Sequence, residues 1–326
     1  MSRFLLADIG GTYARFALSD EGSIGSTWST EVSSRGSPVD AMRDFLAIDH
    51  DGGAIDGALL AAAGPVEGGR CKLVNAAWLL DEEEIARALS LPWVRIVNDI
   101  EAIAAGLPDL QPAQLCRIGP AGNAIPGAPM AIVAPGTGLG VASVVFGPAG
   151  RTIVTSEGGH AGLASLGNHF DDIIAILRRR YGRVSAERVL SGAGLVNLHQ
   201  AINALEGNTA PHWTPSEVTA AALDGSSPAC RAAMDAFCAF LGAVAGDIAL
   251  TFGARGGIYI GGGIVPRFVD QLARSEFRAQ FGAKGRLHAY VERIPTWVIQ
   301  HPTPAFVGLT SLAKLARQQA HLHLSL

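Results

Sequence analysis

Three groups of residues in this 326-residue sequence have types and spacings suited to chemistry. The first is Asn98-Asp99 in VRIVNDIEAIAAG, between the run Val94 to Val97, with only Arg95 polar, and the run Ile100 to Ala105. Val94–Val97 reads as a strand and Ile100–Ala105 as a helix, so an amide and a carboxylate stand where a buried strand ends. They either cap the helix or aim a carboxylate at a ligand, where it would accept a proton. The second group is EGGH, with Glu157 and His160 on one loop and two glycines between them. Both side chains can converge on a small polar ligand. A metal is the competing occupant, but no further His or Cys lies near in sequence to complete a cage. Glu187, two residues after Ser185, is either a carboxylate favoured by a helix start or a ligand, with equal weight.

The third group is glycine. In ADIGGT, Gly10 and Gly11 join two strands, because Ala14, Phe16 and Leu18 alternate with Tyr13, Arg15 and Ala17. Such a turn lets backbone N–H groups face an anion, although alone it is a plain hairpin. A dinucleotide loop would need G-x-G-x-x-G opening a helix, and no G-x-x-x-x-G-K-[ST] occurs. APGTGLG repeats the device with Gly136, Gly138 and Gly140 and a hydroxyl at Thr137. Three glycines there cost backbone entropy beyond what a hairpin needs, so two glycine-tipped hairpins suit a phosphate chain. Gly261-Gly262-Gly263 ends a buried strand and either admits a flat base or ribose or merely turns the chain.

The elements that must hold these groups alternate between strand and helix. Helices are expected at Pro38–Leu46 and after Asp81 (with Glu84 as a capping-box partner). Further helices are expected at 171–181, after Ser191, around 228–252 and at Phe306–Gln319. Strands are expected at Ala58–Ala63, in both glycine hairpins and at Ile258–Ile260. That is α/β organisation. Residues 107–129, rich in Pro and Gly, mark a domain boundary, and HPTP at 301–304 precedes a helix that returns to the first domain. The expected domains are 1–108 plus 302–326 (small) and 109–301 (large).

Hydrophobic residues make up 48% and charged residues 17% of the chain, enough for sizeable cores, and the net charge of −4 offers nucleic acid no footprint. Cys71, Cys116, Cys230 and Cys238 lack C-x-x-C spacing. The longest strongly apolar stretch, Ala236–Gly246, falls short of the ~20 residues of a bilayer span. A soluble, cytoplasmic protein without membrane partners is expected.

The ordered set ADIGGTYAR, GPVEGGRCKLVNAAW, IVNDIEA, APGTGLG, TSEGGHAGLAS, RVLSGAGL and GGGIVPR resembles the bacterial ATP-dependent glucokinases over nearly the whole chain. The likeness is to the type without the zinc-binding cysteines of the repressor/kinase (ROK) sugar kinases; residues 161–180 are cysteine-poor. It implies a two-domain actin-like ATPase (hexokinase/ribonuclease H-like) α/β fold with an interdomain cleft that closes on the sugar, usually as a homodimer. It implies phosphorylation of D-glucose at its 6-hydroxyl by ATP and Mg2+, the first step of sugar catabolism. Carried over position by position, Asp99 is the catalytic base, and Asn98, Glu157, His160 and Glu187 are the sugar ligands. Asp8, Ile9, Gly10, Gly11, Thr12 and Tyr13, with Gly136, Thr137, Gly138 and Gly262, hold the nucleotide, and Asp8 holds magnesium through water. Tyr13 departs from the small polar residue expected there, which leaves its side chain without an assigned contact. A sugar-binding regulator would need a helix-turn-helix ahead of Asp8, where one short strand stands. A kinase of another sugar on the same fold is the remaining alternative.

Overall fold

The computed structural model describes residues 2–49, 52–73, 76–120, 122–148 and 150–323, without the side chains of Asn168 and of residues 317–323. Val74 and Asn75 of the GPVEGGRCKLVNAAW stretch lie outside the described residues. The chain forms two compact units, one of residues up to Leu110 together with those from His301 onward, the other Gln111–Gln300.

The first unit is built on a six-stranded sheet. Arg3–Ile9 and Tyr13–Asp20 form an antiparallel hairpin, and Gly57–Ala62 and Val94–Asn98 add in parallel beside Arg3–Ile9. Period-two alternation sends Leu5, Ala7 and Ile9 into a core with Phe16, Val39, Met42 and Phe45. Phe16, Trp28 and Phe45 form a ring cluster there, with centroids 5.8 to 6.3 Å apart. The other face carries Leu6 and Asp8. The expected half-exposed alternation of the second strand holds only at its start. Phe16, Ala17, Leu18 and Ser19 are all buried, because apolar layers cover both faces of the sheet's middle. The helix Pro304–His323 belongs to this unit and packs on the Arg3–Ile9 and Gly57–Ala62 strands and on the helix Asp99–Gly106.

The second unit repeats the pairing order. Met130–Pro135 and Leu139–Gly147 form an antiparallel hairpin, and Gly257–Ile260 joins Met130–Pro135 in parallel. Gly150–Ser156 extends one edge, and Thr296–Ile299 and Leu115–Ile118 extend the other. Helices Asn168–Tyr181, Gly192–Leu205, Pro215–Asp224 and Pro228–Phe252 bury Phe237, Phe240, Leu198 and Met234 in its core. Pro228–Phe252, capped by Ser227 and ended by Gly253 in the left-handed region, runs well past the eleven-residue apolar stretch visible in the sequence. By length and composition alone it is long enough to cross a membrane, and 72% of its most apolar window is buried inside the protein, as in a core helix.

Candidate active site

Within the first unit, the parallel strands Arg3–Ile9, Gly57–Ala62 and Val94–Asn98 end at the same level, and Asp8 and Asn98 sit at those carboxyl ends. In open α/β sheets this is the edge where ligands bind. Asn98 caps the next helix: its Oδ1 accepts the Ile100 N–H at 2.9 Å and its Nδ2 donates to the Gly64 carbonyl at 3.1 Å. One N–H and one lone pair of its amide stay available to a ligand. Asp99 is the first helical residue, and its Oδ1 also accepts from Ile100 N–H, at 2.8 Å.

The two possibilities open for Asn98-Asp99 are therefore divided between them: the amide caps, and the carboxylate is the group with a perturbed proton affinity. Burial pushes Asp99 up to about 6; the Ile100 N–H opposes that, and the negative charge of Asp8 adds to it. Asp8 is itself raised by burial, and its cross-strand neighbour Arg15 opposes the rise with an ion pair of 3.3 Å. The Cys71 thiol is raised by burial and, to a lesser degree, by the Asp99 charge. Arg15 and the Gly64 carbonyl were not singled out in the sequence. The strand register that places Arg15 opposite Asp8 is the one signal that would have found it.

The ADIGGT turn is a tight hairpin in which the Gly10 N–H donates to the Tyr13 carbonyl at 2.9 Å. The Ile9 side chain is wholly buried in the core, so only its backbone can serve a ligand. Gly11 and Thr12 form the tip, with Gly11 half-buried and Thr12 exposed. The Tyr13 ring is 46% exposed.

The second unit gathers its own set. Glu157 precedes a single 3-10 turn, Gly158–His160, and Glu187 sits in another, Ala186–Arg188. His160 stands between them, with Nε2 3.9 Å from Glu157 and Nδ1 3.9 Å from Glu187. The Glu157 side chain is 88% exposed and that of Glu187 31%. The Ala186 N–H donates to the Ala161 carbonyl at 3.0 Å, and Arg183 donates to the His160 carbonyl at 2.8 Å, which ties the two loops together. Beside them is the Gly136–Gly138 turn, whose Gly136 N–H donates to the Gly138 carbonyl at 2.8 Å while Thr137 projects outward. Gly262 has φ +79°, and a methyl group on it would run into the Pro135 carbonyl. Only glycine fits, and its packing brings the third glycine cluster against the foot of the second turn.

Each unit thus presents a glycine-tipped hairpin with carboxylates near it. The glucokinase family model matches residues 5–316, which is nearly the whole chain. The chain belongs to the glucokinase family. It is 42% identical to a glucokinase of Paramagnetospirillum magneticum over 94% of this chain and 96% of the relative. Among solved structures, a glucokinase from an Antarctic psychrotroph superposes with a TM-score of 0.87 at 34% identity, covering 96% of this chain and 98% of that one. A glucokinase of Balamuthia mandrillaris solved with glucose shares the fold (TM-score 0.78, 20% identity, 96% and 94% covered). The glucokinase neighbours have the actin-like ATPase fold.

Proposed function

We propose that this member of the glucokinase family transfers the γ-phosphoryl group of ATP to the 6-hydroxyl of D-glucose, with Asp99 as the general base. The observation that carries the assignment is the part-buried Asp99 carboxylate, raised to about 6 just past the carboxyl end of a parallel strand. At pH 7 that group is mostly ionised, yet it holds a proton far better than an ordinary aspartate, which is what a base needs as an alcohol attacks phosphorus. Asn98, Glu157, His160 and Glu187 bind the sugar hydroxyls. Each buried hydrogen bond that a wrong sugar fails to complete costs affinity. The Asp8–Tyr13 turn, the Gly136–Gly138 turn and Gly262 hold the nucleotide through backbone N–H groups and close approach.

Asp8 is a desolvated carboxylate beside a second one, and Arg15 engages one of its oxygens. A hard oxygen donor short of solvent suits a hydrated divalent cation. Asp8 would hold Mg2+ through water, and the ion when bound neutralises charge on the phosphates. Cytoplasmic location and a homodimer complete the proposal, following the resemblance.

A coupled assay of ADP release with ATP and Mg2+ across glucose, mannose, fructose and N-acetylglucosamine tests it. Glucose-dependent ADP release that Asp99→Asn slows by roughly 10²–10⁴-fold is the expected result. Release independent of any sugar, or stronger with another of the four, would overturn the substrate assignment.

A further inference from the structure

The following rests on the assignment of Glu187 as a sugar ligand. Its two carboxylate oxygens have different neighbours. Oε1 faces His160 Nδ1 at 3.9 Å. Oε2 accepts the N–H of Leu139 at 3.0 Å, and Leu139 is the residue that closes the Gly136–Gly138 turn. The same oxygen lies 2.6 Å from where a methyl group on Gly138 would stand. From its other side the turn is held by the Gly192 N–H, which donates to the Gly136 carbonyl at 2.9 Å, while Ser191 donates to the Glu187 carbonyl at 2.9 Å. The segment from Glu187 to Gly192 therefore clamps both ends of the glycine turn.

We propose that Glu187 is a positioning residue that links sugar binding to the order of the Gly136–Gly138 turn, so that glucose and ATP bind with positive coupling. The Glu187 side chain is 31% exposed and can leave the turn for water. A sugar hydroxyl donating to Oε1 removes that freedom and keeps Oε2 on the Leu139 N–H. By linkage, whatever factor glucose contributes to nucleotide affinity, the nucleotide returns to glucose. A Cβ on Gly138 would take the space the carboxylate occupies and push it off the Leu139 N–H. The coupling also discourages ATP from reacting with water, since bound sugar adds to the bracing that the Leu139 bond alone gives the turn.

Three measurements on the full chain test the link. Amide exchange without ligand reads the Leu139 N–H, which should be protected in the wild type and exchange at least about tenfold faster in Glu187→Ala. Calorimetric titration with glucose should show Gly138→Ala weakening binding about tenfold, although Gly138 is not a sugar ligand. In a Glu187→Ala background the same glycine substitution should change glucose affinity by less than about twofold, because the clash partner is gone. Glucose should tighten a non-hydrolysable ATP analogue about fivefold or more in the wild type and not in Glu187→Ala. Unchanged glucose affinity in Gly138→Ala, additive effects in the double variant, or Leu139 exchange indifferent to Glu187 would each overturn the coupling alone. A wild type that protects Leu139 but binds no glucose would overturn the sugar assignment and the coupling with it.

Discussion

Asp99 and Glu157 are both assigned to the same substrate, yet their surroundings differ sharply. Asp99 is part-buried at a helix start, and that burial, with a smaller push from the Asp8 charge, raises its proton affinity to about 6. The Glu157 side chain is 88% exposed, with a histidine nitrogen 3.9 Å from its carboxylate. A base must be kept from water to hold a proton usefully, whereas a hydrogen-bond acceptor for a hydroxyl needs only to be in place when the hydroxyl arrives. The difference teaches where each unit invests its rigidity: in desolvation around Asp99, and in backbone ties around the Glu157 and Glu187 loops. The substitutions below separate the two.

The largest effect is expected from Asp99→Asn, which should lower kcat by roughly 10²–10⁴-fold with little change in the glucose KM. Stopped-flow or steady-state kinetics would show it, and near-normal turnover would return Asp99 to the role of a helix residue. In the wild type, kcat should fall as pH drops through about 6, and the residual activity of Asp99→Asn should lack that limb. The same raised pKa has a cost in stability. An aspartate with a folded value near 6 and an ordinary unfolded value destabilises the fold progressively as pH rises from about 4 to about 6, and fully above that. Asp99→Asn should therefore stabilise the first unit above pH 7, by on the order of 1–3 kcal/mol, and bring no gain below pH 4. Urea unfolding at both pH values checks this.

Next in size is Gly262→Ala. A side chain at φ +79° and against the Pro135 carbonyl should cost the second unit about 2–4 kcal/mol and raise the ATP KM, leaving the Asp99 pH limb in place. Calorimetric unfolding together with kinetics would register both. Glu157→Gln should raise the KM for glucose several-fold and that for ATP hardly at all, because one weakened acceptor in water costs about 1 kcal/mol. Equal effects on both substrates would break the division between exposed sugar ligands and nucleotide turns. Tyr13→Asn is expected to change least, within about twofold for either KM, because the residue is about half exposed at the turn.

Much of this arrangement was legible in the residues themselves. Strand–glycine–strand patterns stood out at 3–20 and 130–147 because period-two alternation and glycine together leave few options. Helix Pro228–Phe252 was visible in its alanine-rich run between Ser227 and Gly253. The strands Leu115–Ile118 and Thr296–Ile299 were not. The first lies within a Pro- and Gly-rich stretch, and what stabilises it is pairing with a segment far along the chain, including a 2.6 Å bond from the Thr296 hydroxyl to the Ile118 carbonyl. Local pattern cannot report such a partner. In the site, residue types announced Asp99, Glu157 and His160. The bond from the Leu139 N–H to Glu187, 48 residues apart, and the Arg15–Asp8 pair arise from register and loop packing, which composition does not encode.

The helix Pro304–His323 has a further consequence. It crosses the Asp99–Gly106 helix so closely that a methyl group on Gly308 would collide with the Ala102 carbonyl, and its Ser311 hydroxyl bonds the Asp109 carboxylate. The helix that begins at Asp99 thus waits for a segment translated after the whole of Gln111–Gln300. On the ribosome, the later-encoded middle portion can mature first, while the earliest-made strands stay unfinished until their closing helix emerges. A nascent chain halted before Pro304 would hold the Glu157 and Glu187 loops and lack a seated Asp99.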